Sequence, residues 1–204
     1  MPADEEAPAR VLTATIHLIR HGDHDEVGRV LSGRSVIPLN ARGRSQAARL
    51  GEWLRDKGVG AIHSSPRPRA IETAEAIATA TGLPVEMVPA LDEVDFGIWT
   101  GRSFAELDGD PDWDAWNARR GVTRVPGGET MMEAVLRAAA HIEAVPAGRT
   151  IACVSHCDVI RGLVLHYLGV GVDRILSIDC EPASVSTLTI GPEGVRLVRL
   201  NLGV

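Results

Sequence analysis

The chain has 204 residues, 45% hydrophobic and 24% charged, which fits one ordinary globular domain able to bury a substantial core. Its net charge of −6 argues against nucleic acid or an acidic membrane as a bulk partner, though not against a small phosphorylated substrate held by a local arginine cluster. No stretch approaches the length of a membrane span, and with only 3% aromatics the core must come from Ala, Val, Leu and Ile.

Residues 1–10, MPADEEAPAR, are acidic, small and proline-containing, and read as a disordered leader before a single domain over 11–204. The three cysteines, Cys153, Cys157 and Cys180, are an odd number beside no secretion signal, so reduced thiols and a cytoplasmic protein are expected. Residues 11–19 read as a strand that ends at Arg20-His21-Gly22, followed by a glycine- and charge-rich loop over 22–38. Asn40 is a good N-cap for a helix whose apolar face carries Ala47, Leu50, Trp53 and Leu54, closed by Lys57-Gly58. A short strand over 59–63 ends at Ser64-Ser65, an alanine-rich helix spans 66–81 and stops at Gly82, and 85–88 forms a further strand.

The stretch 91–128 is the least regular, with most of the tryptophans, and its part 101–128 reads as an excursion that sets specificity. Helical periodicity returns over 130–145, then a strand over 150–154, a helix over 159–168 just past His156, and strands 185–190 and 195–200 around Gly191-Pro192-Glu193-Gly194. Strands alternating with helices predict an α/β three-layer sandwich: a mostly parallel open sheet, helices on both faces, and a C-terminal β-hairpin. Two strands that each deliver a histidine at their C-terminal ends, His21 and His156, mark where open α/β sheets gather active-site groups.

Five segments together resemble one family. They are Leu18-Ile19-Arg20-His21-Gly22; Ser64-Ser65-Pro66-Arg67-Pro68-Arg69-Ala70 with Thr73-Ala74; Leu91-Asp92-Glu93 with Phe96-Gly97-Ile98-Trp99-Thr100-Gly101; Pro126-Gly127-Gly128-Glu129-Thr130; and Val154-Ser155-His156. In that order they resemble the motifs of the histidine phosphatase superfamily, also called phosphoglycerate-mutase-like. The resemblance implies a metal-independent phosphomonoesterase, without cofactor, acting on a small phosphorylated metabolite. His21 would attack phosphorus as a neutral imidazole and form a phosphohistidine. Arg20 and Arg69 would hold phosphoryl oxygens, with His156 beside them. Glu93 would protonate the leaving oxygen and then activate water, which requires a raised carboxyl pKa. Arg29 and Arg34, in the loop after the first motif, are further phosphate-contact candidates, and Ser32 and Gly33 would shape that loop.

Other residues read as structural. Arg161 lies inside a helix beyond His156; His24, His63, His141 and His166 are expected on the surface or in the core, Trp99 in packing, and Cys157 as a small buried thiol. The chain departs from the family pattern in three places. Asp23-His24-Asp25-Glu26-Val27 follows the opening motif where an acidic residue and then Thr or Ser is usual. Cys157 replaces the glycine after the second histidine, and Pro182-Ala183-Ser184 stands where an asparagine often precedes a small residue and serine. Three rivals remain open: a mutase-type phosphotransferase, a metal-dependent hydrolase with ligands drawn from His21-Gly22-Asp23-His24-Asp25 and His156-Cys157-Asp158, and a non-catalytic receptor for phosphorylated ligands. The short chain and the Phe96-Gly97-x-Trp99-x-Gly101 pattern favour the phosphatase branch by resemblance. A homodimer is admitted, although no interface stripe is visible.

Overall fold

The computed structural model describes residues 12–204, so the expected leader over 1–10 lies outside the described residues. Six strands form one open sheet: β1 (Ala14–Arg20), β2 (Ala61–Ser64), β3 (Val85–Met87), β4 (Thr150–Ser155), β5 (Val185–Gly191) and β6 (Gly194–Leu202). Their spatial order is β3-β2-β4-β1-β5-β6. The first four run parallel, while β5 lies antiparallel to β1 and continues into β6 as the terminal hairpin.

Alternation along the central strands explains the layers. In β4, Ile151 and Cys153 point into one core, with Ala152 and Val154 in the other. The first core also contains α5 (Met131–Glu143) and α6 (Cys157–Tyr167) through Met131, Val135, Ala138 and Leu163. The second contains α1 (Ala41–Leu54) and α2 (Pro68–Thr81) through Leu50, Leu54, Ala70 and Ile77. The central polar position of β1 does not face water. His17 is buried edge-on against Trp53, with ring centroids 5.8 Å apart, and its Nδ1 pairs with Thr187 Oγ1 at 3.0 Å.

Element ends differ from the periodicity in ways that matter for the site. The α2 helix begins at Pro68, not at residue 66, because Arg67 precedes a proline and stays extended (φ −81°, ψ 140°) while Pro68 takes the first helical position. Arg69 therefore lies in the first turn, near the strand ends. The α6 helix begins at Cys157, not at residue 159, with His156 as its extended N-cap (φ −123°, ψ 162°). The excursion condenses into two short helices, α3 (Phe104–Leu107) and α4 (Pro111–Ala118), capped by Ser103 and Asp110. Trp99 and Trp116 are fully buried there, and Trp113 stacks on Trp116 with centroids 5.3 Å apart.

Candidate active site

The ends of β1, β2 and β4 meet because β4 lies between the other two. His21 N–H donates to Ser155 O at 3.1 Å and Ser65 N–H to Val154 O at 2.9 Å, so each strand's exit is tied to β4. From the other side Ala183 N–H donates to His21 O at 3.0 Å, and Ala183 adopts a left-handed φ of 60° to do so. A non-glycine residue in that region costs on the order of 1 kcal/mol, which places backbone strain directly against His21. Just past it, Gly22 packs on the first turn of α1. A Cβ on Gly43 would stand 2.0 Å from Asp23 O, so only glycine lets the two backbones approach this closely.

Hydrogen bonding defines the tautomers. Gly22 O can only accept, so His21 Nδ1, 2.8 Å away, carries the proton, and Nε2 keeps its lone pair. That lone pair accepts from Arg69 Nε at 3.2 Å. Burial, then Arg69 and Arg20, hold the His21 pKa well below its ordinary value, so the ring is neutral. Arg69 is almost wholly buried, and it also donates to Gly33 O at 2.6 Å, Ser35 O at 3.3 Å and His156 Nδ1 at 3.1 Å. Arg20 donates to Cys180 O at 2.5 Å, and its Nε has no partner among the described residues.

His156 is fully buried, 5.1 Å from the His21 ring by centroid. Its Nδ1 accepts from Arg69, so its Nε2 proton goes to Ser65 Oγ at 2.7 Å, and Ser65 in turn donates to Asp92 at 3.3 Å. Both ring nitrogens are thus engaged, and His156 stands behind Arg69 and His21, off the wall of the cavity.

Glu93 lines the cavity across from these groups. Burial first, and Asp158 second, push its carboxyl up to about 8, against the opposing pull of Arg69. Its own backbone carbonyl is held by Arg34 Nε and Arg137 Nη2, each at 3.0 Å. Those two arginines share Glu129 Oε1, at 3.0 and 2.9 Å, and Arg34 also reaches Asp95 at 3.1 Å. Arg34 is therefore a strut for the Glu93 loop and does not face the cavity. Arg29 is likewise turned away, spent on Asp25 O four residues back. Neither arginine lines the cavity, and the reason is shared: nearby carboxylates and carbonyls hold both.

Two residues read as structural are at the site instead. His24 is buried, 5.1 Å from His21 by centroid, and lines the cavity. Glu26 N–H donates to its Nδ1 at 3.3 Å, leaving an Nε2–H donor, and burial lowers its pKa to about 4. Arg161 lines the cavity too, together with Arg120 from the excursion. Neither Nε has a partner among the described residues, and both guanidinium groups flank Asp158. The position of His24, three residues after His21 in the same loop, was the only signal available for it. Arg161 lies one helical turn after Cys157, which itself lines the cavity, and that i+4 spacing was its signal.

The cavity, about 530 Å³, is completed by Phe96, Phe104, Trp113, Trp116 and Asn117 from the excursion and its base. The cysteines are free thiols; Cys157 Sγ donates to Cys180 O at 3.6 Å. Among the described residues no helix is long and apolar enough to cross a membrane.

Comparison with known proteins finds relatives over nearly the whole chain. Residues 16–203 match the model of the histidine phosphatase superfamily (branch 1). The chain is 34% identical over 199 residues to the bifunctional protein Rv2228c of Mycobacterium tuberculosis; that match takes in 94% of this chain but 54% of the relative, so the chain spans about half its length. It is 29% identical to phosphoserine phosphatase 1 of Hydrogenobacter thermophilus, over 91% of this chain and 90% of that one. The solved structure of mycobacterial glucosyl-3-phosphoglycerate phosphatase superposes with a TM-score of 0.80 at 26% identity, over 93% of this chain and 99% of the other.

Proposed function

The chain belongs to the histidine phosphatase superfamily, branch 1, and on that premise we propose that it is a phosphomonoesterase working through a phosphohistidine on His21. The observation that carries this reading is the pairing of a neutral His21, whose unprotonated Nε2 attacks once the phosphoryl group draws Arg69 Nε away, with a Glu93 that keeps its proton near neutral pH. In the first step the Nε2–P bond forms as the ester P–O bond breaks, and Glu93 gives its proton to the departing oxygen. In the second, Glu93 takes a proton from water, whose oxygen displaces Nε2 and releases phosphate.

Arg69 and Arg20 neutralise the phosphoryl oxygens, so the mechanism needs no metal ion. His24 Nε2–H adds a donor from the opening loop. His156 acts from behind these groups, orienting Arg69 through Nδ1 while Ser65 holds its Nε2 proton.

At the other end of the cavity Arg120 and Arg161 are two further cations with unpartnered Nε atoms, beside an aromatic wall of Trp113 and Trp116. The substrate class they fit is a small phosphate ester with a second anionic group, such as a carboxylate. Phosphoserine and glucosyl-3-phosphoglycerate, named for two of the relatives, both have one.

The test is phosphate release from an aryl phosphate and a panel of phosphorylated metabolites, in the presence of chelator, by wild type and His21→Ala. Turnover that survives chelator and falls on the order of 10⁴-fold or more in the variant supports the mechanism. An acid-labile, alkali-stable phosphoenzyme trapped from the wild type would add the intermediate. Turnover that chelator abolishes would overturn it in favour of a metal hydrolase, and binding without release would make the cavity a receptor.

A further inference from the structure

A second group of chemistry-bearing side chains lies away from the cavity, on the face of the sheet covered by α5. Glu86, His63 and Cys153 stand in register across three adjacent strands, His63 paired with Glu86 on β3 and with Cys153 on β4. His141 reaches down to them from α5. His63 Nδ1 and His141 Nε2 are 3.0 Å apart, and one nitrogen of each ring and Cys153 Sγ all lie within 4.8 Å of one another. On its far side His63 Nε2 faces Glu86 Oε2 at 3.6 Å. None of these four residues lines the catalytic cavity.

We propose that His63, His141 and Cys153 form a binding site for a zinc-class divalent cation, with Glu86 orienting His63 from behind. The donor set is two imidazoles and one thiolate, which suits a borderline-soft ion over magnesium or calcium. Tetrahedral zinc with bonds of about 2.0–2.3 Å puts its ligand atoms roughly 3.3–3.8 Å apart, so the three atoms need move by little more than 1 Å. Glu86 stands on the side from which a carboxylate usually holds the non-ligating nitrogen of a metal-bound histidine, and closing by about half an ångström would let it accept that proton.

On uptake, three bonds form from His63 Nδ1, His141 Nε2 and Cys153 Sγ, with water in the fourth position. The ring protons then sit on His63 Nε2, toward Glu86, and on His141 Nδ1. The thiol proton is released to solvent, one proton per ion. Half-buried His63 and His141 give the ion its entry path, and the bound ion ties α5 to β2 and β4.

The test uses tag-free protein dialysed against chelator and titrated with Co²⁺ and Zn²⁺. The expected result is one ion per chain, a thiolate-to-cobalt charge-transfer band, and a Zn²⁺-dependent rise in Tm. The band should persist in Cys157→Ala and vanish in Cys153→Ala, and His141→Gln should weaken binding at least tenfold while still folding, since it changes a half-exposed helix position. Absence of stoichiometric binding in the wild type would overturn the site. So would a band that survives Cys153→Ala or is lost with Cys157→Ala, which would move the ion to the catalytic cavity.

Discussion

Replacing Glu93 with glutamine should lower activity and raise stability together, and the structure gives the size of the second effect. Glu93 has a pKa of about 8 in the fold against 4.5 for an unperturbed carboxyl, chiefly because it is buried. A folded-state pKa above the unfolded one means that stability is full below about pH 4.5 and is lost as pH rises toward 8, because the unfolded chain ionises freely and the folded one does not. At pH 7 the gap is about 2.5 pH units, and at 1.36 kcal/mol each the carboxyl costs on the order of 3 kcal/mol. Glutamine keeps the acceptor for Val94 N–H, 2.9 Å from Oε1, and has no charge to desolvate. Glu93→Gln is therefore expected to gain on the order of 3 kcal/mol at pH 7 and almost nothing at pH 4.5. For a chain of this length that is a rise in Tm of roughly 6–12 °C. Denaturant melts of both proteins at pH 4.5, 6, 7 and 8 measure it, alongside turnover, which should drop about 10²–10⁴-fold. A stability difference that is flat across this pH range would refute the raised pKa and, with it, the argument for Glu93 as the acid.

The pH dependence of kcat/KM is expected to fall with unit slope above about pH 8 as Glu93 ionises, and Glu93→Gln should remove that limb. No limb near pH 6.5 should come from His21, which burial holds neutral far below that value; an acid limb that follows the substrate's own phosphate pKa, about 6, would leave this intact. Gly43→Ala should destabilise by about 1–3 kcal/mol in chemical denaturation and cut kcat, because its Cβ overlaps Asp23 O and displaces the loop behind His21. Arg161→Gln should raise KM about tenfold or more for phosphate esters with a carboxylate while leaving an aryl phosphate that lacks a second anionic group unaffected; equal effects on both would remove the second-anion reading. Arg137→Ala should reduce kcat more than it raises KM and cost about 1.5–3 kcal/mol, because Glu129 and the Glu93 carbonyl lose a charged donor.

What the chain disclosed in advance was backbone logic and chemistry tied to strand ends. The sheet, its helices and the closing hairpin were legible because burial on both faces of β1 and β4 leaves apolar runs, and because Asn40, Pro68 and Gly82 punctuate helices by local sterics. His21, Arg69, Glu93 and His156 were legible as a set because their motifs recur in order. Direction of side chains was not. Arg29 and Arg34 were expected to face the phosphate, yet each is satisfied elsewhere, Arg34 by Asp92, Asp95 and Glu129, which are scattered over the chain and gathered only by folding.

His24 and Arg161 were missed through the converse ambiguity. A histidine in a charged loop and an arginine inside a helix have no local signature of the cavity they face, since that cavity is closed by Trp113 and Trp116 from an excursion almost ninety residues past the first and over forty before the second. The same folding that hides them sets the chemistry. Arg20, Arg69, Arg120 and Arg161 place four cations around one cavity in a chain of net charge −6, with Asp158 set against Arg161 and Glu93 held neutral. On the proposed mechanism, ionising Glu93 before the ester breaks would cancel part of that field and remove the proton the leaving oxygen needs. The burial that makes this carboxyl costly to the fold is the same property that keeps its proton available at neutral pH, so stability and catalysis are set against each other at a single residue.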